Sequence, residues 1–324
     1  MFYALAIALC LAVLFLVLLC ATLVCAPSVR LLIKSGQHSS PGTKANLVFV
    51  ARILPLALAC LVTLSLTLPA FLKYEPHVTS ESMGLRLAGL AGLGAIVLIA
   101  IVVRALRILR ATWDVQSEWL SRSKRIFLDR IALPIYRVDN GASLLAVTGM
   151  FRPRIFVSRE IAEGLSAEEF RAAVAHELAH VSSFDNLKQL LMKMTRPPRW
   201  LKMLHSVDAE WIHASEIAAD HKALAEGAPV LELSAALVKV GRLSLPCSTR
   251  PAVASHLVPP ACASSLEMRV ARLSALLEGR EAAPVQKAGK SKFTIAILCA
   301  LAAYAACINM FLPGVHEVLE FLVR

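Results

Sequence analysis

Ser166-Ala167-Glu168-Glu169-Phe170-Arg171-Ala172-Ala173-Val174-Ala175-His176-Glu177-Leu178-Ala179-His180 is the stretch on which the reading of this 324-residue chain turns. Its opening carries the marks of a helix start. Ser166 and Glu169 have the spacing of a capping box, and Leu165 and Phe170 that of a hydrophobic staple. The helix is expected to run through the histidines to about Met194, before Pro197-Pro198 stops it. Residues four apart share one helix face, about 6 Å apart along the axis, so His176 and His180 can aim two imidazoles at a single ion. Glu177 leans over the same point without ligating, where it can take a proton from water. This pattern points to zinc-dependent hydrolysis.

Catalytic zinc takes three protein ligands and keeps one position open. Downstream, Glu216-Ile217-Ala218-Ala219-Asp220 falls on the next expected helix, about Val207 to Glu226, with both acids on one face. Glu216 is the natural third ligand, with Glu210 as the alternative in reach. Asp220 is placed either to accept the outer N–H of a histidine or to form a plain salt bridge. Asp185 reads as structural. His205, His213 and His221 read as surface residues, with a supporting role at the site as the other option.

Upstream, Pro134 to Val138 and Ser143 to Val147 are short β-rich runs around Asp139-Asn140-Gly141, the signal of a hairpin. Arg154 to Ser158 is a third candidate strand. Either Ala146 to Gly149 or Arg154 to Ser158 is expected to take substrate backbone by strand addition. Further helices are expected at about Val230 to Leu243 and Ser264 to Leu277, the latter ending near Gly279. Residues 280–292 read as a linker.

Outside this segment the chain turns apolar. It is 57% hydrophobic and only 18% charged, against about 25% charged for ordinary soluble domains. Four stretches suit transmembrane helices, at about 2–26, 48–72, 85–106 and 291–315. The first lacks a basic n-region and is too long for the core of a cleaved leader, so it reads as an anchor. Arg30, Lys34, Lys44 and Arg52 follow the first span without an acid between them. Arg104, Arg107 and Arg110 follow the third, and Lys287, Lys290 and Lys292 precede the fourth. The positive-inside rule then places residues 111–290 in the cytoplasm and both termini outside, with 316–324 a short outer tail.

The net charge of +11 is explained by these loops. Without aromatic interleaving it gives no reason to expect a nucleic-acid partner. The eight cysteines lack CxxC-type spacing and most sit in apolar stretches, which fits a reducing compartment. Neither a phosphate-binding glycine loop nor a GxSxG elbow occurs. A transporter is disfavoured because the centres of the spans, Phe2 to Ala26, Ile53 to Leu72, Leu87 to Val103 and Phe293 to Val315, hold no charged residue.

Ile155-Phe156-Val157-Ser158, Leu165 to Glu169, HELAH, Asp185-Asn186, Glu216 to Asp220 and Ser265-Leu266-Glu267-Met268-Arg269-Val270 together resemble the M56 membrane metallopeptidases. That group includes the beta-lactam-sensing receptor proteases and is related to the M48 proteases. The resemblance covers about residues 130–280, and three spans before the protease with one after also suit it. It implies His176, His180 and Glu216 as zinc ligands, Glu177 as catalytic base and Asp220 as the carboxylate behind a ligand. Two features depart from the pattern. Ser182-Ser183-Phe184 stand where relatives often have basic residues, and nine residues after Val315 leave no room for the outer sensor of the receptors.

The expectation is therefore an α+β, predominantly helical, polytopic membrane protein with four transmembrane helices and a cytoplasmic HExxH zincin-like (gluzincin) domain. Its domains would be 1–110, 111–290, 291–315 and 316–324, in a bacterial-type inner membrane. It would use Zn2+ to cleave a protein substrate such as a transcriptional repressor, with a separate sensor protein as a further partner. The alternatives are membrane-protein quality control of the M48 kind and a non-catalytic scaffold with a structural zinc.

Overall fold

The computed structural model describes residues 2–35, 40–76, 84–127, 131, 133–139, 144–196, 202–243, 254–256, 263–280 and 290–323. The Asn140-Gly141 turn, Pro197-Pro198, residues 281–289, Cys247 and Cys262 lie outside these. The chain is mostly helical with one small sheet and divides into two compact units.

The first unit comprises Met1–Lys34, Val50–Val103 and Lys287–Arg324. Helix α1 is Phe2–Ser35. Helix α2 (Pro41–Val62) passes through a π-helical turn (Thr63–Thr67) into α3 (Leu68–Tyr74). Helix α4 is Leu85–Ser121, and the last helix of the chain is Lys290–Val323. Among the described residues, four helical stretches are long and apolar enough to cross a membrane: Phe2–Cys25, Pro41–Tyr74, Leu85–Ser121 and Ala306–Val323. Four such stretches accord with the expected number, and the last, Ala306–Val323, lies toward the C-terminal end of its helix, beyond the start of the expected 291–315. Their buried faces meet through Phe2, Leu9, Phe71, Leu87, Leu312 and Leu319. The π-helical turn sits beside a hydrogen bond of 2.6 Å between the hydroxyls of Ser65 and Tyr304.

The second unit comprises Ser35–Phe49 and Arg104–Gln286. Its sheet contains β1 (Ser123–Ile126), β2 (Ile135–Val138), β3 (Leu145–Thr148), β4 (Arg154–Ser158) and β5 (Ala254–His256), in the order β1-β2-β4-β3-β5. The expected hairpin of β2 with β3 does not form. β4 lies between them, parallel to β2 and antiparallel to β3. The reason lies in β4 itself, where Ile155, Phe156 and Val157 are all fully buried, as a central strand covered on both faces requires. With both its edges paired, β4 cannot take a substrate strand as expected, and the outer edge of β3 pairs with β5.

Alternation divides the strands between two cores. Ile135, Leu145, Val147, Ile155 and Val157 face the helices, while Val138, Ala146 and Phe156 face Trp119 of α4. Six further helices follow: α5 (Arg159–Gly164), α6 (Ala167–Ser182), α7 (Asp185–Met194), α8 (Lys202–Ala225), α9 (Val230–Leu243) and α10 (Ala263–Leu277). The final helix, Lys290–Val323, is α11.

Where one helix was expected from Ser166 to Met194, the chain breaks at Ser183-Phe184. Phe184 adopts the left-handed conformation at φ 56°, and α7 starts afresh at Asp185. Asn186 then donates to the carbonyls of Val147 and Gly149, tying the start of α7 to the end of β3. Gly149 is required there. Its φ is +94°, and a Cβ would lie 2.6 Å from the Arg152 carbonyl oxygen.

Candidate metal centre

Both bonds of the capping box at the start of α6 are present. Glu169 N–H donates to Ser166 Oγ at 3.2 Å, and Ser166 N–H donates to Glu169 Oε2 at 2.7 Å. Lys239 Nζ also reaches Glu169, at 2.7 Å. The helix so fixed packs Ala172, Ala173 and Val174 into the core. It leaves His176, Glu177 and His180 buried, at 0%, 0% and 3% exposure.

The two imidazoles meet nearly edge to face, with Nε2 atoms 3.1 Å apart. Glu216 of α8 completes a triangle, its oxygens 3.5 Å from His176 Nε2 and 3.6 Å from His180 Nε2. Zinc–nitrogen bonds of 2.0–2.1 Å in a tetrahedron put neighbouring ligand atoms roughly 3.3 Å apart. The three donors therefore match a tetrahedral metal site in kind and in spacing.

The outer nitrogens give a second test. His176 Nδ1 lies 2.8 Å from Asp220 Oδ1, and His180 Nδ1 lies 2.7 Å from Asp185 Oδ2. A carboxylate at Nδ1 fixes the proton there and turns the Nε2 lone pair inward, as metal-binding histidines require. Both lone pairs then point at one spot beside a carboxylate, an arrangement that repels itself unless a positive charge occupies it. Four buried carboxylates (Glu177, Asp185, Glu216 and Asp220) stand against the charges of Arg269 and Lys188, an excess of two negative charges that a divalent cation would balance.

The titration behaviour expresses the same demand. Burial acts to lower the pKa of both imidazoles. For His180 it is outweighed by the hydrogen bond to Asp185 and the charges of Glu216 and Asp185, and the pKa is raised to about 9. Asp220 and Glu216 do the same for His176. Burial would raise the Asp220 and Glu216 carboxyls, but the Arg269 guanidinium holds both below the usual carboxylate range.

Arg269 belongs to the centre although nothing in the local pattern around the histidines announces it. It is 1% exposed, and its Nε and Nη2 fork onto Asp220 at 2.7 and 2.6 Å while Nη1 donates to Glu216 at 2.8 Å. Asp185 proves to be the carboxylate behind His180. Its other oxygen is 3.5 Å from Lys188, three residues on. Glu210, the alternative third ligand, is bound to Lys44 at 2.6 Å. Among the described residues, the polar groups meeting the two imidazoles are Asp185, Glu216, Asp220 and Arg269, with His213 and His221 not among them. The side chain of His205 lies outside the described ones.

Four apolar helices, a small sheet and a buried triad of two histidines and a glutamate, with a second glutamate adjoining, together define a membrane metallopeptidase. Residues 76–233 match the family model described as BlaR1 peptidase M56, and the chain carries a domain of that family. The match takes in His176, Glu177, His180, Asp185, Glu216 and Asp220. No curated protein matches the chain.

Proposed function

We propose that this membrane metallopeptidase is a zinc endopeptidase in which His176, His180 and Glu216 hold the metal and Glu177 is the general base. The observation that carries the reading is the converging triad, with each histidine backed by its own carboxylate and Glu177 buried on the same helix turn. A bound zinc would supply Lewis acidity, polarising the scissile carbonyl and making water nucleophilic near neutral pH. Glu177 takes the proton of the attacking water and delivers it to the leaving amine as the peptide C–N bond breaks. Asp220 and Asp185 hold the imidazole rings in their ligating tautomer, and Arg269 holds Asp220 and Glu216 ionised.

The membrane region is 1–110, the catalytic domain 111–290 faces the cytoplasm, and both termini lie outside; the basic loops support this orientation. The substrate is a protein whose cleavage serves regulation, with a transcriptional repressor as the leading class, which the BlaR1 peptidase match supports. Pairing of substrate with the outer edge of β3 requires Ala254–His256 to leave it.

Metal analysis and substrate trapping on the purified full chain test the assignment. Glu177→Gln should keep one zinc per chain and capture uncleaved substrate, whereas His180→Ala should lose both metal and cleavage. Cleavage by Glu177→Gln at the wild-type rate would remove Glu177 from the mechanism.

A further inference from the structure

Helix α4 outlasts the hydrocarbon it can cross. From Leu85 to Trp113 it rises about 42 Å at 1.5 Å per residue, which equals a whole bilayer with both headgroup layers, about 40–45 Å. Along this length Leu98, Val102, Leu106, Leu109 and Trp113 fall on one stripe within about 80° of the helix circumference. All are exposed, Leu106 at 60% and Trp113 at 70%. The stripe does not stop where the arginines begin. At 100° per residue exposed Arg110 stands about 40° beyond one edge of the stripe, exposed Arg107 and Arg104 follow on the far side of the helix, and buried Thr112 and Trp119 border the stripe's other edge.

A soluble surface would not carry this row of large apolar side chains through Trp113, and a helix sunk in hydrocarbon would not carry three arginines on the same turns. The two together suit a headgroup layer, where tryptophan settles at the interface and arginine reaches phosphate. A second group of cations joins at the same level of α4. Arg104 Nη1 donates to the Arg196 carbonyl at 2.7 Å, beyond the end of α7. Lys193 of α7 is close enough to Arg196 that burial and that guanidinium lower its pKa to about 8. Asp114 is the acid nearest in sequence to this group.

We propose that residues 104–113 of α4, with Arg196, form a binding surface for anionic phospholipid headgroups, with Leu106, Leu109 and Trp113 inserted at the interface and Arg107 and Arg110 on the lipid phosphates. The bilayer contact of α4 therefore extends ten residues past the apolar segment that ends at Val103, into the unit that holds the metal centre.

Phosphatidylglycerol is the probe. The full chain is reconstituted into phosphatidylcholine nanodiscs with and without phosphatidylglycerol, and the emission of Trp113 is isolated as the difference between wild type and Trp113→Phe. That component should be quenched by lipids spin-labelled near the headgroup and shielded from aqueous iodide. Lipid retained through detergent purification should be enriched in phosphatidylglycerol, and Arg107→Gln with Arg110→Gln should cut the enrichment severalfold. Both arginines are exposed, so the change leaves the core intact, and unchanged Trp119 and Trp211 emission verifies this. Free access of iodide to Trp113 overturns the proposal. Protection from both quenchers, meaning that protein covers the stripe, also overturns it, as does undiminished enrichment in the double variant.

Discussion

Replacing Arg269 by methionine removes the one guanidinium that bridges Asp220 and Glu216 and leaves the volume nearly filled. Three charge-assisted bonds of 2.6–2.8 Å disappear, and two carboxylates at 5% and 4% exposure lose their shared counter-charge. Breaking a buried pair by deleting one partner costs about 3–5 kcal/mol, because the remaining charge stays desolvated. For a unit of this size each kcal/mol is worth about 2–4 °C, so the melting temperature should fall by roughly 6–20 °C.

The pH dependence supplies a second signature. Arg269 holds the folded-state pKa of both carboxyls below the unfolded value. Their contribution to stability is therefore full above the ordinary carboxylate range, near 4, and is lost as pH falls toward the depressed folded values. In Arg269→Met burial acts unopposed by the guanidinium and raises those carboxyls. The gap between wild type and variant should then be widest at neutral pH and narrow as acid is added. The assay is thermal unfolding of the full chain in detergent with excess chelator. Buried Trp119 and Trp211 serve as reporters, at 5% and 3% exposure. Arg269→Lys, with charge but no fork, should recover only part of the loss. A loss below about 1 kcal/mol at neutral pH, constant across the pH range, would refute the bridging role, since a buried pair cannot be broken so cheaply.

Phe184 holds a left-handed conformation that costs a non-glycine residue about 1–2 kcal/mol, and its ring is 66% exposed. Phe184→Gly should therefore raise the melting temperature slightly and Phe184→Val lower it; a fall with glycine would show that the ring packs. Ser166→Ala removes the α6 cap and should cost about 1 kcal/mol in denaturant unfolding. The Glu169 carboxyl, which burial would raise but Lys239 and Ser166 lower, adds stability that fades as pH drops below the carboxylate range. At Gly94 a Cβ would stand 2.2 Å from the Leu11 carbonyl oxygen, so Gly94→Ala must push α1 from α4. That overpacking should cost about 1–3 kcal/mol in mixed-micelle unfolding, and no change would mean the helices do not touch there.

What could be read in advance was whatever the chemistry demands at short range. His176, His180 and their helix follow from a four-residue spacing and a cap, and Glu216 with Asp220 from the same spacing repeated. The break after Ser182 was not legible, because Ser183-Phe184 contains neither proline nor glycine to mark a helix end. Yet the break is what brings Asp185 to His180. In an unbroken helix a residue five places on would sit about 140° around the axis, away from the ring it now holds. The strand order failed through a local signal taken too far. Asn140-Gly141 favours a turn, but Ile155-Phe156-Val157, apolar without alternation, already marked the strand that needed a neighbour on each edge. Arg269 shows what a better reading would look for. Leu266, Arg269, Leu273 and Leu276 repeat at helical spacing, so the arginine stands on the face that packs inward, and a charge at a core position must have a partner. The acids it meets are Glu216 and Asp220, paired at four-residue spacing on the helical motif upstream. The clue to that ion pair, fifty residues apart in the chain, was an arginine out of place on its own helix.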